Sequence, residues 1–219
     1  TDMIRELGSK KDVDVSKQEK SETEEELGEN FDWLVMKDKI TNYIKENLDK
    51  SKGIKLKQLV LLGLFGLQPP PRIGNFLNMK IKRGKGTKLP DDFNYLMKDK
   101  GDLKFIYNKF KTSKHIGKTI VDITDPLLKE VLNKYIKTLE GTDPVLFNFS
   151  QSQTTNNIKA ITKKIFDVPF SVNTFRHSFL TWFMSSNPSI ERKKEVITSI
   201  GQVFKASTTD KYVRVDDDE

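Results

Sequence analysis

Residues 59–79 read Leu-Val-Leu-Leu-Gly-Leu-Phe-Gly-Leu-Gln-Pro-Pro-Pro-Arg-Ile-Gly-Asn-Phe-Leu-Asn-Met: an apolar run, three prolines, then an arginine that opens a second apolar stretch. The stretch from Ile54 to Leu67 predicts an apolar helix. Its longest uncharged apolar part, Leu59 to Leu67, falls far short of the roughly 20 residues that span a bilayer. Pro69-Pro70-Pro71 stops that helix, because proline lacks the N–H that a helix interior needs. Arg72 to Met79 then reads as a short helix with Ile73, Phe76 and Leu77 on one face, and the alternation in Met79-Lys80-Ile81-Lys82 suits a strand.

Upstream, Phe31, Trp33, Leu34, Ile40, Ile44 and Leu48 recur at helical spacing and predict a helix that pairs with the apolar one. Residues 1 to 30 are dominated by Lys, Glu, Asp and Ser and are read as a flexible charged lead-in or linker, with residues 31–219 as the folded domain. The opening Thr-Asp reads as the start of a fragment. Downstream, the segment Leu103 to Ile123 predicts a β-hairpin. Leu103, Phe105 and Tyr107 alternate before a lysine-rich turn at Ser113–Gly117, and Ile120, Val121 and Ile123 follow it. Asp125-Pro126 supplies a helix start, Leu127 to Leu139 is amphipathic, and Thr154 to Tyr212 is mostly helical with breaks at Pro169, Pro188 and Gly201. The fold class is therefore α+β, mainly α, with a small antiparallel sheet. Trp33, Phe179, Trp182 and Phe183 are read as core.

The chain has 38 Lys+Arg against 31 Asp+Glu, a formal charge of +7 and a pI near 9.3, which leans toward a polyanionic partner. Its acids crowd the two ends, at Glu22 to Glu29 and Asp216 to Glu219, so the middle is more basic than the total. Cysteine is absent, which excludes disulfides, thiolate metal sites and a cysteine nucleophile and is in keeping with a reducing intracellular compartment. With His115 and His177 as the two histidines, no zinc-ligand cluster is legible, and no cofactor is expected. The chain is read as soluble and intracellular.

Three segments, in order, resemble the tyrosine recombinase family. Leu62-Gly63-Leu64-Phe65-Gly66-Leu67 with Arg72-Ile73-Gly74-Asn75-Phe76-Leu77-Asn78-Met79 is similar to the segment in which an apolar helix ends and an arginine opens the next element. Asn173-Thr174-Phe175-Arg176-His177-Ser178-Phe179 is similar to the second arginine box. Ile200-Gly201-Gln202 followed by Ser207-Thr208-Thr209-Asp210-Lys211-Tyr212 is similar to the stretch that carries the nucleophile. Lys111-Thr112, on the hairpin, stands where the family keeps a catalytic lysine. Each box alone is a weak signal, while their order and spacing along residues 31–215 make a strong one.

The resemblance implies a catalytic domain that cleaves and rejoins DNA strands through a covalent 3′-phosphotyrosyl bond. The chemistry explains the residue types. A phosphodiester gains negative charge on its non-bridging oxygens in the transition state, and a guanidinium can donate two parallel hydrogen bonds to them. Arg72 and Arg176 are the clamp in this reading. A tyrosine, with its ordinary pKa of about 10, needs neighbouring positive charge to become a phenolate, and Tyr212 is the nucleophile. The leaving 5′-oxygen needs a proton, for which Lys111 is chosen, with Lys114 and Lys118 on the same turn as alternatives. His177, Lys114, Lys80 and Lys82 are assigned to DNA contacts, the lysines as sequence-independent phosphate partners.

The departures from the pattern are specific. Asn173 stands one helical turn before Arg176 where the family usually has histidine. Gln202 replaces a usual His or Trp, and Asn75 replaces an acidic residue. Amides can hydrogen-bond a phosphate or orient an arginine, but they cannot accept a proton as imidazole does. The functional expectation is a site-specific recombinase or integrase of a mobile element or virus, acting on double-stranded DNA as a tetramer and monomeric as an isolated fragment. The alternatives are a type IB topoisomerase or telomere resolvase with the same chemistry, and a DNA-binding module without catalysis.

Overall fold

The computed structural model describes residues 27–84, 89–142 and 144–204. Helix α1, Trp33–Asn47, starts at Asp32, whose carboxylate accepts from the backbone N–H groups of Leu34 (2.8 Å) and Val35 (3.0 Å). Trp33, Met36, Ile40 and Ile44 form its buried stripe. Just upstream a 3₁₀ turn, Gly28–Phe31, buries Phe31, and Leu27 is also in the core. Helix α2, Gly53–Gly66, is buried along its whole second half, which makes it the centre of the helical body rather than a surface helix. Gly66 explains how α1 comes so close: a Cβ there would lie 2.5 Å from the Ile40 Cδ1. Leu67 caps α2 and the three prolines carry the chain away, as their chemistry dictates.

Beyond Arg72 the expected helix shrinks to one 3₁₀ turn, Ile73–Asn75. Gly74, Asn75 and Asn78 are poor helix formers, and Asn78 adopts a left-handed φ of 56° that ends the turn and launches the sheet. Strands β1 (Lys80–Arg83), β2 (Tyr95–Asp99), β3 (Asp102–Tyr107) and β4 (Thr119–Asp122) lie side by side in sequence order. The β2–β3 and β3–β4 pairs are antiparallel, with Leu96 opposite Phe105 and Phe105 opposite Val121. The expectation of a wholly antiparallel sheet is corrected at β1, which runs parallel to β2 in the register Lys80 to Tyr95. β2 escapes a periodicity reading because Tyr95, Leu96 and Met97 are all buried, so no polar alternation marks it. Lys100 and Gly101, both at positive φ, make the tight β2–β3 turn.

The predicted hairpin is β3–β4, and its tip contains a single helical turn, α3 (Ser113–Ile116). Helix α4, Pro126–Ile136, has proline in its first turn and the Asp125 carboxylate on the Leu128 N–H (3.0 Å). Helices α5 (Gln151–Phe166), α6 (Val172–Ser185) and α7 (Ile190–Ser199) complete the chain up to the Gly201 break; the side chains of Ser150 and Ser189 cap α5 and α7, and at α6 the Ser171 N–H donates to the Thr174 hydroxyl (3.3 Å). Trp33, Phe179 and Phe183 are buried as expected, and Trp182 is partly buried against the same core. Among the described residues no helix is long and apolar enough to cross a membrane.

Candidate active site

Arg72 occupies the N-cap of the 3₁₀ turn in extended backbone, held there by the buried prolines before it and by the Asn75 N–H, which donates to the Arg72 carbonyl (3.0 Å). Around this turn opens a cleft of about 610 Å³. Lys111 enters it from the hairpin side, Asn173 from the first turn of α6, and Gln151 and Thr155 from the first turns of α5. Three of the residues expected at the site from separate parts of the sequence, Arg72, Lys111 and Asn173, thus line one cavity. Among the described residues its lining contains two cations and no carboxylate, and the N-terminal ends of α5 and α6, which carry partial positive charge, line the same space.

Arg176 lies beneath this surface, 4% exposed, on the buried face of α6. Its Nη1 donates to the Pro70 carbonyl (2.6 Å) and to the Ile200 carbonyl (3.3 Å). One guanidinium therefore ties the segment that precedes Arg72 to the segment that precedes Gln202. The end of α7 is closed by Gly201 at φ 74°, with the Gly201 N–H on the Thr198 carbonyl (2.9 Å) and the Gln202 N–H on the Ile197 carbonyl (3.0 Å), a Schellman closure. The Thr112 hydroxyl donates to the Gly201 carbonyl (2.9 Å), joining the hairpin tip to this turn. The Gln202 Oε1 is buried and has no hydrogen-bond partner among the described residues.

Asn94 is a residue the sequence did not mark. It is buried ahead of β2, and its side chain makes four hydrogen bonds. Nδ2 donates to the carbonyls of Asn75 (2.9 Å) and Lys109 (2.8 Å), while Oδ1 accepts from the N–H groups of Asn108 and Lys109 (2.8 Å each). All its donor and acceptor capacity is used. It fastens the Arg72 turn to the chain that leaves β3 toward Lys111, so the two cationic sides of the cleft share one bracket. No local pattern around Phe93-Asn94-Tyr95 signals this, since the partners lie far along the chain.

The other expected residues are distributed differently. His177 is exposed on α6, four residues and one turn beyond Asn173, and Lys114 is exposed on α3. Lys80 is partly buried on β1 with its Nζ 3.5 Å from the centroid of the Phe93 ring, a cation–π contact, and Lys82 is partly buried on the same strand. None of these four lines the cleft. Tyr212, with the Ser207–Tyr212 stretch around it, lies outside the described residues, as does most of the charged lead-in. Arg72 Nε and Asn75 Nδ2 are buried without a hydrogen-bond partner among the described residues. A buried donor left in that state costs about 1–3 kcal/mol, which an anionic oxygen could recover.

The sequence matches no protein-family model and no curated protein. Among solved structures the chain is similar to the crystal structure of XerA recombinase, with a TM-score of 0.52 and 14% sequence identity. The likeness covers 83% of this chain and 57% of that one, so the chain spans little more than half the length of the recombinase. At that identity the likeness carries the fold.

Proposed function

We propose that this chain, built on the fold of a recombinase, breaks and rejoins DNA strands through a covalent 3′-phosphotyrosyl intermediate. The observation that carries the reading is the convergence of Arg72, Lys111 and Asn173 on one acid-free cleft in that fold. In this reading Arg72 takes the non-bridging oxygens of the scissile phosphate, and the amide of Asn173 adds a neutral donor beside it. Arg176 is the second guanidinium of the site, and by holding the Pro70 and Ile200 carbonyls it steadies the segment that leads to Arg72. The Tyr212 phenolate attacks phosphorus, a P–O bond to the tyrosine forms, and the P–O5′ bond breaks. Lys111 gives its proton to the departing 5′-oxygen. The bond energy is kept in the phosphotyrosine, so a 5′-hydroxyl can reverse the step. The partner is double-stranded DNA, with assembly into a tetramer on paired sites.

The test is trapping on a nicked, phosphorothiolate-containing duplex in EDTA. A covalent adduct on a denaturing gel, absent in Tyr212→Phe, is the expected result. Relaxation of supercoils by single subunits would select the topoisomerase alternative. Tight duplex binding with no adduct on any substrate would reduce the protein to a DNA-binding module, a reading that the amides at positions 75, 173 and 202 favour because none can act as a base.

A further inference from the structure

We propose that the side-chain amide of Asn75 is itself a phosphate-binding group, donating to the bound oxyanion beside the guanidinium of Arg72. The inference rests on the cleft being a phosphodiester site. Asn75 lines the cleft and is 1% exposed, yet its Nδ2 has no partner among the described residues. Its backbone is fixed on both sides: the N–H donates to the Arg72 carbonyl, and the carbonyl accepts from Asn94. On its far flank stands Gly201, where an added Cβ would be 3.5 Å from Nδ2, so no side chain there reaches across to pair with it.

Three residues away on the same turn, Arg72 Nε is also buried and, among the described residues, unpartnered. Buried amide and guanidinium N–H groups are almost always paired, and two such donors on one turn in one cleft lining call for an acceptor with several oxygens. A tetrahedral phosphate supplies it. A carboxylate at position 75 would face such an anion with acceptors only and with like charge, whereas an amide donates and stays neutral. Lys111, exposed in the same cleft lining, supplies a second cation for the anion.

The experiment uses the whole chain, labelled with ¹⁵N and titrated with inorganic phosphate and then with a short DNA duplex. The side-chain NH₂ pair of Asn75, assigned by its loss in Asn75→Asp, is expected to shift saturably with both. Asn75→Ala is expected to bind phosphate about tenfold more weakly, and Asn75→Asp more weakly still, as follows from removing a hydrogen bond to a charged group. The ligand-free Asn75→Ala chain is expected to melt no lower than the wild type, because the deleted donor had no partner to lose; a purely structural asparagine would lower it. Unchanged affinity in Asn75→Ala alongside lost affinity in Arg72→Ala would overturn this inference and leave the phosphodiester reading standing. A wild-type chain that binds neither phosphate nor duplex would overturn both.

Discussion

Replacing Asn94 by alanine tests whether the two sides of the cleft depend on one side chain. The substitution removes four hydrogen bonds at once. Three of the groups left behind, at Asn108 and Lys109, are only partly buried and can turn to water, so each costs about 0.5–1 kcal/mol. The bond to the Asn75 carbonyl is buried, and that carbonyl would be stranded at about 2 kcal/mol. The expected loss is about 4 kcal/mol, a large part of the 5–15 kcal/mol that holds an ordinary domain together. Urea denaturation followed by far-UV circular dichroism measures it, with Asn108→Ala as the comparison. Asn108 gives one hydrogen bond from Nδ2, to the Phe93 carbonyl (2.8 Å), and its loss is expected to cost about 1 kcal/mol. If the two variants unfold at the same urea concentration, the bracket does not carry the load assigned to it. A phosphate titration on the folded variant completes the test, because loosening the bracket moves Arg72 and Lys111 apart and weakens binding beyond the stability loss.

Two further outcomes follow from single sites. Gly201→Ala puts a Cβ on a residue at φ 74° with Phe110 and the Asn75 Nδ2 at 3.4 and 3.5 Å; those contacts are tolerable, so backbone strain dominates and the melting temperature should fall by the equivalent of about 1–2 kcal/mol, with Gly201→Asn losing less. Burial pushes the Tyr135 phenol up to about 12, while its hydroxyl donates to the Leu146 carbonyl (2.8 Å). Its proton is therefore held more tightly in the folded chain than in the unfolded one, so the associated stability is whole below about pH 10 and is lost between about pH 10 and 12. Tyr135→Phe should flatten that part of a stability-against-pH curve, and an unchanged alkaline slope would refute the assignment.

Much of the local structure was legible because it depends on neighbours in the chain. The prolines at 69–71 end α2 whatever surrounds them, Asp125-Pro126 starts α4, and the spacing of Trp33, Ile40 and Ile44 declares the buried face of α1. Arg72, Arg176 and Lys111 were likewise legible as the cations that the proposed chemistry would need, and the fold brings Arg72 and Lys111 to one cleft. What the chain could not disclose depends on partners distant in sequence. The helix expected after Arg72 gave way to a 3₁₀ turn, because Gly74 and Asn78 favour leaving the helix and the β1 ladder, paired with β2 and with the 144–146 segment, recruits the residues that follow. β2 had no alternation to betray it, being buried on both faces, and its parallel pairing with β1 is a property of the sheet and not of either strand. The surroundings of Arg176 divided the same way. Its presence is a sequence fact, but that it is buried on α6 and donates to the carbonyls of Pro70 and Ile200 was decided only by the packing of α6. Asn94 shows the limit most sharply: composition and spacing see an asparagine before a strand, and only the folded chain brings Asn75, Asn108 and Lys109 to its four hydrogen-bonding positions.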